Sequence, residues 1–265
     1  MSSEIVHQII EEEWEFKQKN NELIGLESKL AQEELELATF RFELQNFRAR
    51  YLIAIGSRYF ELDKIEAEIA QIEALERPDD HFAQMKAEQA RTQAKKSAEA
   101  AGCQKEMDKK VISRFKPTEN LKKLYRQIAK KIHPDLAVDE QERNCFQKLM
   151  AKANQAYQAG DEIGLQSILK RWKKNGCSEK TDIEINKLTK VLRQIAQIKE
   201  RLAAIEEEKA EIKNSSLYQL KSKVEKAESS GIDLLAEMAR VLDDQIQINK
   251  AKLEQMAKGY GKIVS

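Results

Sequence analysis

LKKLYRQIAKKIHPD, residues 121–135, decides how the rest of this chain is read. Leu121, Leu124, Ile128 and Ile132 recur at helical spacing and form an apolar face. Lys122, Arg126, Lys130 and His133 recur on another face, with Lys123 and Lys131 beside it. Thr118, directly after Pro117, is the expected N-cap, and Glu119 in the first turn and the late lysines suit the helix dipole. Pro134 has no amide hydrogen to continue the helix and excludes His133 from helical geometry. The helix is therefore predicted to stop abruptly, leaving His133 and Asp135 on an exposed loop. The chain holds only three prolines and three histidines, and one of each falls in this tripeptide.

Downstream, Phe146, Leu149, Met150, Ala153 and Tyr157 make a complementary stripe that ends in Asn154-Gln155-Ala156-Tyr157. Two such helices are expected to close as an antiparallel hairpin with the His-Pro-Asp loop at its tip. The stretch GDEIGLQSILKRWKK (160–174) then predicts a short packing helix through Ile163, Leu165, Ile168, Leu169 and Trp172.

On either side the pattern changes to long helical arms. Aromatics are 6% and charged residues 34%, with nine glycines and three prolines among 265 residues, a composition of long helices and coiled coil. Leu23, Leu26, Leu30, Leu37, Phe40, Leu44, Phe47 and Tyr51 follow a heptad seam. After Tyr51 comes an extra four-residue step to Ile55, then Leu62, Ile65, Ile69 and Ile72, which reads as a stutter within a helix from about residue 4 to 77. Arg77-Pro78-Asp79-Asp80 is a turn with an N-cap candidate, and an alanine-rich helix over about 80–113 should fold back along the first. A third arm follows Asn175-Gly176-Cys177-Ser178, with a seam of Leu188, Leu192, Ile195, Ile198, Leu202, Ile205 and Ile212. Asn214-Ser215-Ser216 is a candidate break, after which Leu234, Met238, Val241, Ile246, Leu253 and Met256 carry a final helix to about Lys258. The expected fold is all-α, with the hairpin inserted between coiled-coil arms that form a stalk. Its segments are 1–113 (N-terminal arm), 114–175 (hairpin module) and 176–265 (C-terminal arm). Seams of this length need burial, either against each other or in a homodimer, and heptads alone do not choose between the two.

Net charge is +1, but residues 1–77 carry 17 acidic and nine basic side chains, while residues 86–131 carry 14 basic and five acidic. The basic block is expected to face the acidic arm or an acidic protein groove. Interruption by Glu88, Glu99, Glu106 and Glu119 and the scarcity of aromatics argue against nucleic acid. The gradient also allows the acidic arm to cover helix 121–132 until a partner draws it away. Cys103, Cys145 and Cys177 form no CxxC pair, so neither a disulfide framework nor a metal site is expected, and no cofactor is implied. No secretory leader pattern and no run of about 18 apolar residues is visible, which points to a cytoplasmic protein. Cys145 and His133 as nucleophile and base would lack an orienting third group, so no enzymatic activity is expected. Trp14 and Trp172 are read as packing anchors.

TENLKKLYRQIAKKIHPD followed by Asn-Gln-Ala-Tyr resembles the second and third helices of the J-domain of the DnaJ co-chaperones, over about residues 118–157. A Tyr-x-x-Leu-Gly first helix has no clear counterpart in KKVISRFKP (109–117), where Val111, Ile112 and Phe115 would take its packing role. Gln127 and Leu136 depart from the family pattern, and the Gly/Phe-rich and zinc regions of larger members are absent from this chain. The resemblance implies docking on a DnaK-type (heat-shock seventy) ATPase chaperone and stimulation of its ATP hydrolysis, with no covalent chemistry. It assigns His133, Pro134 and Asp135 to the triggering loop, and Lys122, Tyr125, Arg126 and Lys130 to the surface facing the chaperone. The helical arms would serve a client, a partner or dimerisation. The competing expectation is a coiled-coil scaffold with a degenerate J-like tip.

Overall fold

A computed structural model describes residues 2–102, 117–137, 139–175 and 187–263, and among these every regular element is helical. The first helix, α1 (Ser2–Tyr51), passes through a π-helical turn (Leu52–Gly56) into α2 (Ser57–Glu76). That turn lies at the stutter read from the sequence. Two successive four-residue steps, Phe47 to Tyr51 to Ile55, overrun a 3.6-residue period, and a wider turn absorbs the surplus and keeps Ile55 buried. The remaining helices are α3 (His81–Gly102), α4 (Glu119–Ile132), α5 (Glu140–Gln158), α6 (Glu162–Asn175), α7 (Lys187–Asn214), α8 (Ser216–Ser229) and α9 (Leu234–Ile263). None is long and apolar enough to cross a membrane.

The chain forms two compact units, Met1–Glu43 with Phe115–Ser215, and Leu44–Arg114 with Ser216–Ser265. In the first, α1 is buried on two sides. Leu23, Leu30 and Leu37 meet Val191, Ile195, Ile198 and Ile205 of α7. The pairs Lys199–Glu22 and Lys209–Glu36 advance together along both helices, so α1 and α7 run parallel. A second stripe, Ala31, Leu35 and Ala38, joins the core of α4, α5 and α6. That core holds Leu121, Tyr125, Ile128, Ile132, Phe146, Met150, Ala153, Tyr157 and Leu165, each large aliphatic side chain contributing on the order of 1.5–3 kcal/mol by burial.

The corner between α5 and α6 is built from Ala159-Gly160-Asp161. Gly160 takes φ 69°, which an L side chain resists, and its amide and that of Asp161 reach back to the carbonyls of Tyr157 and Ala156. Asp161 then caps α6 through Gly164 N at 2.8 Å.

In the second unit α3 folds back antiparallel on α2, with Lys86–Glu73 at 2.9 Å near the turn and Gln93–Asp63 at 3.3 Å farther along. Asp80 caps α3 through the amides of Phe82 and Ala83. On α2 also lies α9, parallel to it, through Arg58–Asp243 and Lys252–Glu73. Leu62, Ile65, Ile69, Val224, Leu235, Leu242 and Ile246 form its core. The break before α8 falls where Ser215 was expected, but a second corner, Ser229–Asp233, was not read. Gly231 there takes φ 80°, and Asp233 caps α9 through Ala236 N at 3.0 Å.

Several expected packing positions are corrected. Trp14, Ile163, Leu192 and Val241 are exposed, and Val191 and Leu242, one residue away from two of them, are buried instead. A 3.6-residue period drifts from a strict heptad, so the buried stripe shifts by one position over several turns. Cys145 is disulfide-bonded, which corrects the expectation of free thiols at that position. Cys103, Cys177 and the segment 109–116 lie outside the described residues.

Candidate functional site

Thr118 caps α4 as expected, its Oγ1 accepting from Leu121 N at 3.1 Å. At the other end His133 leaves helical geometry (φ −69°, ψ 135°), and Pro134–Leu136 make a single 3-10 turn. The turn closes through Leu136 N to His133 O at 3.0 Å and Ala137 N to Pro134 O at 3.2 Å. Asp139 caps α5 through Glu142 N at 2.7 Å. Local chemistry thus stops one helix, makes one turn and starts the next.

The expectation of an exposed loop is corrected at His133, which is only 4% exposed. Its Nδ1 accepts from Asp135 N at 3.1 Å, so the ring proton sits on Nε2, which donates to Glu34 Oε1 of α1 at 3.1 Å. Glu34 is buried as well and also accepts from Arg201 Nε of α7 at 2.8 Å, while Arg201 Nη1 donates to Glu208 at 2.7 Å. Burial pushes the Glu34 carboxyl up, but hydrogen bonds from His133 and Arg201 outweigh it and hold it below the usual carboxylate range. Burial works against the Arg201 charge too, and the two glutamates more than restore it. A buried carboxylate is tolerated because its Oε1 accepts from two donors, one of them the Arg201 guanidinium.

Asp135 is partly covered, its Oδ2 3.6 Å from His133 Nδ1 and its Oδ1 3.9 Å from Arg143. Gln194 of α7 donates to Leu136 O at 3.0 Å, tying the turn to α7.

Tyr125, expected on the surface, is corrected to the core. It is 1% exposed, donates from Oη to Asn154 Oδ1 at 2.6 Å, and its ring lies 4.8 Å from that of Tyr157. The reason is spacing, since 121, 125, 128 and 132 mark the true inner stripe and Leu124 sits at its margin. Tyr157 in turn reaches Thr39 of α1 at 2.7 Å; the single hydroxyl hydrogen of Thr39 goes to Leu35 O, so Tyr157 donates.

The basic face is brought together as read, but onto α1. Lys130 Nζ donates to Ser28 Oγ at 2.8 Å and Arg126 Nη1 to Gln32 Oε1 at 3.4 Å, while Lys122 pairs with Glu119 on its own helix at 2.8 Å. Sequence reasoning missed Glu34, Gln32, Ser28 and Arg201. One signal was present: Glu34 stands amid Leu30, Ala31, Leu35, Leu37 and Ala38, a carboxylate between two apolar stripes.

The arrangement offers a turn with a buried histidine, a carboxylate beside it, and three cations on one helix face, two of them held by polar groups of α1. No family model, no curated protein and no solved structure matches this chain.

Proposed function

We propose that the chain is a J-domain co-chaperone, acting on a DnaK-type ATPase through His133, Pro134 and Asp135 together with the basic face of α4. The observation that carries this is the cross-helix arrangement of α4 and α5. Tyr125 bonds Asn154 and its ring lies tilted at 4.8 Å from that of Tyr157, so three of the residues that carry the resemblance outside the tripeptide meet around Tyr125. The His-Pro-Asp turn sits between these helices, with Lys122, Arg126 and Lys130 along α4 leading to it. In this reading the arms serve a client or a partner, and the hairpin delivers the trigger. Cationic side chains facing an acidic groove give steered, salt-sensitive binding.

Single-turnover ATP hydrolysis by a DnaK-type chaperone tests it. Acceleration by the intact protein and none by His133→Gln is the expected result; equal effects of both would remove the reading.

A second reading, a helical scaffold whose J-like tip does not act, is favoured by the burial of His133 against Glu34. It predicts no acceleration by any variant that exposes His133.

A further inference from the structure

We infer that residues 28–39 of α1 form a latch over the trigger, and that this segment leaves the α4 face before His133, Arg126 and Lys130 engage a partner. The inference rests on the co-chaperone reading above. Three of the four groups on the basic face are held by α1: Lys130 by Ser28, Arg126 by Gln32 and His133 by Glu34. A chaperone groove that takes these same groups competes with α1 for one set of hydrogen bonds.

The two faces of α1 are unequal. Toward α7 it buries Leu23, Leu30 and Leu37, and Lys209 bonds both Glu33 and Glu36. Toward the hairpin it buries Ala31, Leu35 and Ala38, a far smaller apolar area. The weaker face is therefore the one that opens, with α1 staying on α7 and the Gln194 bond from α7 to Leu136 O breaking in the same movement. Arg201 reinforces that preference, because it bonds Glu34 from the α7 side and gives the carboxylate a partner after His133 has gone. The hairpin retains a core of its own, with Leu121, Tyr125, Ile128, Phe146, Tyr157 and Leu165 all contributed by α4, α5 and α6. Opening is thus a displacement and not an unfolding.

A closed population lowers apparent affinity by the fraction that is open. The occupant that opens the latch is an acidic protein surface able to replace the side-chain oxygens of Ser28, Gln32 and Glu34 at three cationic or proton-donating groups.

The test uses the full chain in two parallel readouts: hydrogen exchange over residues 126–137, and single-turnover ATP hydrolysis by a DnaK-type chaperone. Glu34→Ala is expected to speed exchange and to raise stimulation about fivefold or more as the open fraction grows. The double variant Ser28→Glu with Gln32→Glu, which places carboxylates opposite Lys130 and Arg126, is expected to slow both. Adding His133→Gln to Glu34→Ala should abolish the gain in stimulation while leaving the fast exchange. Equal exchange and equal, substantial stimulation by wild type and both variants would overturn the latch and leave the co-chaperone reading standing. Exchange that responds as expected with no stimulation by any variant would overturn the co-chaperone reading, and the latch would fall with it, having no trigger to guard.

Discussion

Glu34 in the first unit and Glu73 in the second each accept hydrogen bonds from two basic side chains on two different elements. Glu34 takes His133 and Arg201, and its side chain is 9% exposed; Glu73 takes Lys86 and Lys252, and its side chain is 29% exposed. Both carboxyls titrate below their ordinary range for reasons that rank differently. At Glu34 burial opposes the charge and two hydrogen bonds overcome it; at Glu73 the bonds from Lys252 and Lys86 dominate and burial is minor. A carboxylate with two donors is thus a surface clasp in one place and an interior constraint in the other. A surface clasp is replaceable, because water takes over its bonds. A buried one is not, so its cost needs a purpose, and the purpose proposed for Glu34 is to hold the His133 turn closed.

The largest expected effect tests this contrast directly. Glu34→Ala leaves the buried His133 proton without its acceptor and should cost about 3 kcal/mol, whereas Glu73→Ala should cost about 1 kcal/mol or less. Native-state hydrogen exchange, read over α1 and α4 for the first and α2 and α3 for the second, gives both numbers; equal losses would erase the distinction.

Acid should weaken both sites in the same direction. A carboxyl whose folded value lies below the ordinary 4.5 stabilises the fold above that value, and its contribution is lost as pH falls through the lower, folded value. Exchange protection measured from pH 7 down to 3 should therefore stay flat to about 4.5 and fall below it, in α1 and α4 as in α2 and α3. Protection that rises on acidification would contradict the sign of both shifts.

The two glycine corners offer a matched pair, one per unit. Gly160→Ala and Gly231→Ala place a Cβ on left-handed backbone, and each should lower stability by about 1–2 kcal/mol. Thermal melts followed by exchange in the flanking helices would show each loss confined to its own unit. The smallest effect is favourable: Gly25 lies exposed in α1 with nothing within 4 Å of an added Cβ. Gly25→Ala should raise stability by up to about 1 kcal/mol, seen as a higher melting temperature.

Much of the local structure was legible because it depends on residues a few positions apart. The Thr118 cap, the stop at His133, the turn at Pro134 and the Asp80 cap all followed from side-chain chemistry within four residues. The π-helical turn was foreshadowed by the stutter, and α6 by its apolar spacing. The corner at Gly231 is not marked by the apolar spacing, which resumes at Leu234, although Ser-Ser-Gly-Ile-Asp carries a turn signal. The candidate site was legible as a set of residues and illegible as a surface. Tyr125 and Arg126 are neighbours in sequence, yet one lies in the core and the other against α1.

The sequence by itself determined that the chain is helical, where most helices start and stop, and that a histidine, a proline and an aspartate occupy the turn between α4 and α5. Only the tertiary structure decided that α1 is buried on two faces, and that the turn is closed against Glu34 and Arg201. Caps and turns are set by hydrogen bonds between near neighbours, whereas the contact of His133 with Glu34 joins residues 99 positions apart. A cationic helix face suits water, an acidic arm or a partner equally well, and packing of the whole unit is what selects among them.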